Sequence, residues 1–266
     1  MNILVTLDEN YIPQLIIMMK SILNSNPNTN FEIYIAHKSL TDDNFKQLNE
    51  GVDNPRCNFI SIVIDDGFLK DAPVTDRYPK EMYYRIFAAK YLPSNLDRIL
   101  YLDPDIVVIN SLESLYTMDF EENYFIAASH VNKPLHRINE YRLDMDKDSA
   151  YINSGVMLMN LTLLREKQDL KEVFDYIERY KNRLLLPDQD VLSGLYGSKT
   201  KTVDSIIYNL SDRYLAFYNL DPENWRQKID LNWVRENTVI IHYCGRNKPW
   251  KDNYLGILDV FYKELL

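Results

Sequence analysis

The sequence is short of glycine and of positive charge. Its 266 residues include only 7 glycines, and its formal net charge is −9. Because nucleic acids and anionic membranes attract basic surfaces, this charge disfavours both as partners. The few glycines form neither a Gly-x-x-x-x-Gly-Lys nor a Gly-x-Gly-x-x-Gly motif, so a glycine-rich loop that cradles phosphate has no support. For an anionic ligand, a bound divalent cation would overcome the acidic background.

The sequence also lacks the cysteine pattern of a disulfide framework and the long apolar run of a membrane helix. Cys57 and Cys244 are the only cysteines and form no Cys-x-x-Cys pair, which is typical of a reducing cytosol. No uninterrupted apolar run approaches the roughly 20 residues that cross a bilayer, and the N-terminus has no signal-peptide pattern. We therefore expect a cytoplasmic protein without a transmembrane segment, while peripheral contact with a membrane and the oligomeric state stay open.

The length and composition indicate one α/β domain. Hydrophobic residues make up 46% of the chain and charged residues 26%, as in ordinary globular proteins with a sizeable core. Residues 2–64 alternate between the periodicities of strand and helix, which is typical of a parallel, doubly wound sheet. No repeat, low-complexity segment or linker divides the chain, so we predict a single domain over residues 1–266.

Two carboxylates interrupt an apolar stretch in the middle of the chain. Asp103 and Asp105 lie between residues 99–102 and 106–109, two apolar runs of strand length, and Pro104 breaks the strand between them. Carboxylates two residues apart at a strand end can turn toward one divalent cation. An Asp-x-Asp pattern alone is a weak signal, so the interpretation depends on its neighbours.

His242 follows another predicted strand, at residues 238–241, and is one of 4 histidines. A histidine in this position is more often a hydrogen-bonded structural residue than a ligand. With Asp103 and Asp105, however, it would complete a set of oxygen and imidazole ligands that suits Mn²⁺, with Mg²⁺ as the alternative, and that leaves positions open for substrate oxygens. Gly245 and Lys248 would then allow a phosphate to approach and supply positive charge.

Several of the other candidate residues have a simpler structural explanation. Asp8 and Asn10 precede a predicted helix and can cap its free amides, which the residue types alone favour. Asp188 can equally cap the helix that it precedes. Arg85 lies in a predicted helix at residues 80–91 and is either a surface arginine or a donor aimed at a phosphate or a carboxylate.

Three longer segments carry structural predictions of their own. Residues 130–150 are polar and without clear periodicity, which predicts a functional loop or lid. Residues 161–184 predict one long amphipathic helix, and residues 254–265 predict a final helix. Gly155, at the start of a predicted strand, indicates that the backbone there approaches another group closely.

Six short motifs, in order along nearly the whole chain, resemble the retaining glycosyltransferases of family eight, which include glycogenin and the bacterial lipopolysaccharide galactosyltransferases. They are Asp8-Glu9-Asn10-Tyr11, Tyr84-Arg85, Leu100-Tyr101-Leu102-Asp103-Pro104-Asp105, Asn153-Ser154-Gly155-Val156, Asp188-Gln189-Asp190, and His242-Tyr243-Cys244-Gly245 with Lys248-Pro249-Trp250. The resemblance implies the GT-A fold, a Rossmann-like α/β domain that binds a nucleotide sugar on a mixed, mostly parallel sheet flanked by helices. It also implies transfer of galactose or glucose from a UDP-sugar, with retention of configuration, to a saccharide, lipopolysaccharide or other cell-surface glycan.

The resemblance assigns a role to each matching residue. Asp103, Asp105 and His242 would ligate Mn²⁺, which bridges the two phosphates of the donor. Asp188 and Gln189 would be the catalytic residues, with Gln189 as an electrostatic stabiliser or as a nucleophile. The donor-binding residues would be Asp8, Asn10, Tyr11, Arg85, Asp103, Asn153, Asp188, Gly245 and Lys248.

Two other classes of protein fit part of the pattern. Asp103-Pro104-Asp105-Ile106-Val107 matches the Asp-x-Asp-x-Val opening of haloacid dehalogenase-like phosphatases, in which Asp103 would be the nucleophile. No later Gly-Asp-x-x-x-Asp motif supplies the further magnesium ligands of that class. A non-catalytic nucleotide-sugar-binding protein would keep the donor residues without turnover. The full set of metal, donor and sugar residues favours the glycosyltransferase.

Overall fold

The computed structural model describes residues 1–69, 81–131 and 133–266. The strands are β1 (Asn2–Thr6), β2 (Phe31–His37), β3 (Cys57–Val63), β4 (Arg98–Leu102), β5 (Ile106–Val108), β6 (Phe125–Ala128), β7 (Val156–Asn160), β8 (Thr200–Val203) and β9 (Ile240–His242). The helices are α1 (Ile12–Ser25), α2 (Asp42–Val52), α3 (Glu81–Ile86), α4 (Ala88–Tyr91), α5 (Glu113–Tyr116), α6 (Lys133–Leu143), α7 (Leu161–Lys167), α8 (Leu170–Tyr180), α9 (Pro187–Tyr196), α10 (Ser205–Tyr208), α11 (Asp212–Leu220), α12 (Leu231–Asn237) and α13 (Asp259–Lys263).

The main sheet has seven strands in the order β3-β2-β1-β4-β7-β6-β8. Strands β3, β2, β1 and β4 run parallel, whereas β7 pairs antiparallel with both β4 and β6, and β8 runs parallel to β6. This confirms the predicted mixed, mostly parallel α/β sheet. Because Leu102 pairs with Val156, the start of β7 lies beside the end of β4.

A second, two-stranded sheet follows directly after the paired aspartates. Its strands β5 and β9 are antiparallel, and Ile106 pairs with His242. The chain therefore leaves the main sheet at Asp103 and enters the small sheet just after Asp105. This path places the end of β9 next to the end of β4.

The apolar runs form strands because both faces of the main sheet are covered. In β4, Ile99 and Tyr101 belong to one buried cluster, while Leu100 and Leu102 belong to another. Alternate residues of a strand point to opposite faces, so a strand buried on both sides is apolar at every position. Each such side chain contributes about 1.5–3 kcal/mol when it is fully buried, which holds the end of β4 firmly in place.

Two predicted segments differ from the structure. Residues 130–150 contain helix α6 rather than a continuous loop. The single helix predicted over residues 161–184 is divided into α7 and α8, because Asp169 caps α8 through the Lys171 amide and Gln168 turns inward to the Ile86 carbonyl.

The two remaining helix predictions are partly met. The final helix, α13, covers Asp259–Lys263 rather than residues 254–265. The predicted helix at residues 80–91 consists of α3 and α4, and its first position, Lys80, lies outside the described residues. Within the described ranges, no helix is long and apolar enough to cross a membrane.

Candidate active site

Three predicted metal ligands meet at the end of β4. Asp103 follows β4, Asp105 precedes β5, and His242 is the last residue of β9. One ligand atom from each lies within 4.8 Å of the others, and the described ranges contain no other such group of three His, Cys, Asp or Glu side chains. The His242 Nε2 atom is 3.2 Å from Asp105 Oδ1 and 3.7 Å from Asp103 Oδ2.

A hydrogen-bonded relay fixes which nitrogen of His242 carries its proton. The Gly155 amide donates to the Asn153 side chain at 3.1 Å, which identifies the accepting atom as the oxygen Oδ1. The same oxygen accepts a hydrogen bond of 3.0 Å from Asn209, whose donor is therefore Nδ2. Asn209 then presents its Oδ1 to His242 Nδ1 at 3.0 Å. Because that oxygen can only accept, Nδ1 is the donor, and whenever the ring is neutral the lone pair of Nε2 faces the two aspartates.

The residues present fit a divalent cation. Asp105 Oδ1 is buried without a hydrogen-bond partner among the described residues, although the lone pair of His242 Nε2 faces it. With a neutral ring these two acceptor atoms repel each other, and a cation bound by both would remove that repulsion. Gly155 leaves the necessary room, because a Cβ atom there would lie 2.3 Å from His242 Cε1 and 2.6 Å from Asp103 Oδ2. Mixed carboxylate and imidazole ligands suit a divalent transition metal.

Asp105 is held in its ionised form. Burial alone would raise the pKa of this carboxyl group, but a protonated His242 ring and the ammonium group of Lys248 outweigh burial and hold the pKa well below its usual range. Lys248 is buried, contacts the Asp105 carboxylate, and donates to the Tyr243 carbonyl at 2.9 Å. An ionised carboxylate is the form that ligates a metal.

Arg85 links the metal-binding end of the site to α9. Its guanidinium lies 3.1 Å from Asp103 Oδ1 and 3.1 Å from Asp188 Oδ2, and its side chain is only 17% exposed. Burial would lower the pKa of Arg85, but the neighbouring Asp103, Tyr101 and Asp188 raise it instead. Of the two predictions for this residue, the structure therefore favours a donor aimed at carboxylates over a surface arginine.

Asp188 lies in the first turn of α9 but does not cap it. The N-cap of the helix is Leu186, which makes no side-chain capping bond. Asp188 Oδ2 instead accepts from Ser154 Oγ at 2.9 Å and pairs with Arg85. The capping explanation for Asp188 is wrong, whereas Asp8 does cap a short 3₁₀ turn by accepting the Asn10 amide at 2.9 Å.

Asp190 anchors the start of α9. The sequence places this residue in a family motif but does not indicate what it contacts. Its carboxylate is fully buried, accepts two bonds of 2.7 Å from Arg142 of α6, and accepts a third of 2.7 Å from the Tyr151 hydroxyl. Gln189, the predicted catalytic residue, lies between Asp188 and Asp190 and interacts with the same hydroxyl. The segment predicted as a loop or lid thus supports the helix that presents Gln189.

A cavity of about 440 Å³ adjoins the ligand group, and we call it the cationic cavity. Four of its residues were predicted for the donor, and Lys248 joins it to Asp105. Three of its side chains are cationic and none is acidic. Its lining residues are Asn10, Tyr11, Gln14, Gly245, Arg246, Lys248, Trp250 and Lys251.

Sequence reasoning missed several residues of this site. Asn209 is fully buried and orients His242, and Gln14, Arg246 and Lys251 line the cationic cavity. Arg246 and Lys251 flank the predicted Gly245 and Lys248, so positive charge around that turn was the signal available. Asn209 lies in no motif and carries no comparable signal.

A mixed sheet with a carboxylate and histidine group at the end of its central strand defines a GT-A fold glycosyltransferase. The crystal structure of the galactosyltransferase LgtC, solved with donor and acceptor sugar analogues, matches with a TM-score of 0.79 and 25% identity, over 100% of this chain and 95% of that chain. The structure of GlyE from Streptococcus pneumoniae shares the fold, with a TM-score of 0.72 and 20% identity, over 99% of this chain and 59% of that chain.

The family model "Glycosyl transferase family 8" matches residues 2–254, and the chain belongs to this family. Lipopolysaccharide 1,2-glucosyltransferase from Escherichia coli is 29% identical over 250 residues, which cover 92% of this chain and 72% of the relative. General stress protein A from Bacillus subtilis is 25% identical, over 95% of this chain and 88% of the relative. Lipopolysaccharide 1,3-galactosyltransferase from Salmonella typhimurium is 25% identical, over 94% of this chain and 72% of the relative. The predicted family and glycosyltransferase class are confirmed, and the family differs from that of the phosphatase alternative.

Proposed function

We propose that this protein transfers glucose or galactose from a UDP-sugar to a saccharide acceptor, with retention of configuration, and that it depends on a divalent metal. Lipopolysaccharide or another cell-surface glycan is the proposed acceptor, because relatives are named for glucose and galactose transfer to lipopolysaccharide. One observation carries the proposal: the ligand group of Asp103, Asp105 and His242 adjoins a cationic cavity through Lys248.

The proposed cofactor is Mn²⁺, with Mg²⁺ as the second choice. Asp103, Asp105 and His242 would hold the ion, and the mixed oxygen and nitrogen ligands favour manganese. When bound, such an ion acts as a Lewis acid that stabilises the negative charge of the leaving diphosphate. Lys248 adds a positive charge on the same side, where it also keeps Asp105 ionised.

The cationic cavity would hold the nucleotide half of the donor. Asn10 and Tyr11 line it and would contact uridine, while Gly245 lets the chain turn away with a φ of 85° and leaves open space at its Cα. Asp8 would support that contact through its bond to the Asn10 amide. Lys248 would pair with the diphosphate, because three cationic side chains and no acid line this cavity.

The sugar half of the donor would lie beside α9. Arg85 and Asn153 would orient it, and Asp188 would accept hydrogen bonds from its hydroxyl groups. Gln189 would lie nearest the anomeric carbon, where its amide steadies the positive charge of an oxocarbenium-like transition state. Because an amide is a weak nucleophile, we favour this role over a covalent intermediate on Gln189.

Residues 1–266 would act as one glycosyltransferase domain in the cytoplasm. The site supports the single domain, because it draws on elements from β1 to β9 across both sheets. The two cysteines, Cys57 and Cys244, are free, as expected in a reducing compartment. Peripheral contact with a membrane would bring the protein to a lipid-linked acceptor.

Isothermal titration with UDP, with and without Mn²⁺, tests this function, and a panel of UDP-sugars then identifies the donor. We expect UDP binding that requires Mn²⁺ and slow hydrolysis of UDP-glucose or UDP-galactose. The matched control is Asp146→Asn, which removes an exposed carboxylate far from the ligand group in the chain. Equal UDP affinity with and without metal would overturn the assignment of Asp103, Asp105 and His242.

A further inference from the structure

A second cavity of about 660 Å³ lies along β8, the last strand of the main sheet, and we call it the β8 groove. One wall comes from α6 and the segment before β7, and the other comes from α10 and α11. Its residues are absent from the family motifs, and none of them lines the cationic cavity. The β8 groove is thus a separate feature of the surface.

The side chains of the β8 groove suit a neutral ligand rich in hydroxyl groups. Exposed hydroxyl-bearing residues are Ser198 in the turn before β8 and Thr202 on the strand, and Asp204 adds an exposed carboxylate just after it. Tyr214 and Tyr218 of α11 supply half-buried rings with polar tips. Such side chains combine an apolar face with hydrogen-bonding groups, as the two faces of a pyranose ring require.

The charge of the β8 groove argues against an anionic ligand. Neither lysine nor arginine lines it, whereas Asp148 and Asp204 do. His136 adds no free donor, because its Nε2 donates to the Ser149 carbonyl at 2.7 Å and its Nδ1 lies 3.5 Å from Glu140. A phosphate or a carboxylate in this groove would meet repulsion without a compensating cation.

We infer that the β8 groove binds neutral hexose units of the acceptor, those that lie beyond the reacting hydroxyl group. This inference rests on the proposed function, since it extends the acceptor along the surface from the candidate active site. The groove gives the enzyme a means to select the length and neutral character of its acceptor.

Two contacts join the β8 groove to the candidate active site. Ser129, at one end of the groove, precedes His130, whose Nε2 donates to the Asn209 carbonyl at 2.5 Å. Tyr151, in the wall of the groove, donates its hydroxyl to Asp190, the neighbour of Gln189. Residues that line the groove are therefore bonded, directly or through one neighbour, to residues that support both the metal-binding histidine and the proposed catalytic glutamine.

A peptide strand added to the edge of β8 is the less suitable occupant. Strand β8 has only 4 residues, and the turn before it is already paired, because the Ala150 amide donates to the Gly197 carbonyl at 3.1 Å. Too few main-chain groups stay open for the continuous ladder that such peptide binding uses.

A printed array of neutral and anionic oligosaccharides tests the inference with the full chain. We expect the unaltered protein to bind neutral hexose oligosaccharides and to leave sialylated and phosphorylated glycans unbound. Thr202→Trp, which fills the groove, and Tyr218→Ala, which removes a ring, should each weaken this binding at least about tenfold. Tyr141→Ala is the matched control, since Tyr141 is 87% exposed on α6 and lies outside the groove.

Titration of the same variants with UDP and Mn²⁺ separates this inference from the proposed function. UDP affinity should be equal in all of them, because the two cavities share no lining residue. Absence of UDP binding by the unaltered protein would refute the proposed function and leave the array result to decide on the groove. The groove assignment is overturned if no neutral glycan binds, if only anionic glycans bind, or if both groove variants bind as well as the control.

Discussion

The cationic cavity and the β8 groove differ most in charge. Arg246, Lys248 and Lys251 line the first, which contains no acid, whereas Asp148 and Asp204 line the second, which contains no lysine or arginine. The net charge of the whole chain, −9, predicts the local charge of neither cavity. The difference teaches that a few locally placed charges can give two cavities of one acidic protein opposite preferences for an anionic ligand.

Asn209 is buried and lines neither cavity, but it is bonded to residues near each of them. Asn209 binds His242 through its side chain and His130 through its carbonyl. Lys248 of the cationic cavity contacts Asp105 beside His242, and Ser129 of the β8 groove precedes His130. Asn209 therefore connects residues that support the two regions, and variants can separate their contributions.

Asp103→Asn should have the largest effect and should act only on the cationic side. An asparagine amide ligates divalent metals poorly. The substitution also removes the negative charge that pairs with Arg85. We expect Mn²⁺-dependent UDP binding and sugar transfer to fall by more than the roughly 10–100-fold that follows loss of an outer-shell contact. Titration calorimetry measures UDP binding, and binding to the β8 groove should stay unchanged. Retained metal dependence would contradict the ligand assignment.

Asn209→Ala tests the residue that connects the supports of the two regions. The substitution removes the side-chain oxygen Oδ1 that accepts from His242 Nδ1. The ring is then no longer held with Nε2 toward the aspartates. Mn²⁺ affinity should weaken about 10–100-fold, as measured by the electron paramagnetic resonance of free Mn²⁺. Asn219→Ala is the matched control, because Asn219 also donates and accepts one bond of 2.8 Å each, but with Ile229. Equal Mn²⁺ affinities of the two variants would reduce Asn209 to a structural residue.

Lys251→Glu should weaken one cavity and spare the other. It reverses an exposed charge on the cationic cavity, so we expect roughly tenfold weaker UDP binding, about 1.4 kcal/mol, and a smaller difference at high salt. Lys228→Glu makes the same change at an exposed lysine outside both cavities. Similar losses in the two variants would mean that overall charge, rather than the cavity, governs UDP affinity.

The smallest expected effect concerns stability in acid. Burial lowers the pKa of His130 to about 4, so the unfolded chain takes up the proton first as the pH falls. The stabilising contribution of neutral His130 to the free energy of unfolding is therefore present above about pH 6.5. The free energy of unfolding should fall by about 1 kcal/mol per pH unit between about pH 6 and 5. Denaturant titration of His130→Gln should show a shallower decline over that range. An identical decline would show that other groups cause it.

The sequence predicts the residues of the site better than the contacts that support them. Apolar runs predict strands from the local sequence alone, and such runs precede or flank Asp103, Asp105 and His242. Their meeting depends on the pairing of β4 with β7 and of β5 with β9, which strand ends only suggest. The family resemblance supplied that information indirectly, through motifs whose order matches.

The supporting residues could not be predicted because their partners are distant in the chain. Asp190 has an ordinary local sequence, and only the fold brings Arg142 of α6 to its two oxygens. The same contact explains why the polar segment of residues 130–150 contains a helix without a clear apolar stripe. Asn209 is another isolated polar residue whose role depends on His242 and Asn153, both far from it in sequence.

The antiparallel entry of β7 beside β4 also sets when the site can form during folding. The Asp103 amide donates to the Gly155 carbonyl at 2.8 Å, so the first ligand is positioned only after β7 has paired with β4. His242 arrives through the still more distant pairing of β9 with β5. Contacts between remote segments close slowly because the intervening chain must first be ordered. A nascent chain therefore gains its metal-binding site only when residues up to β9 are available.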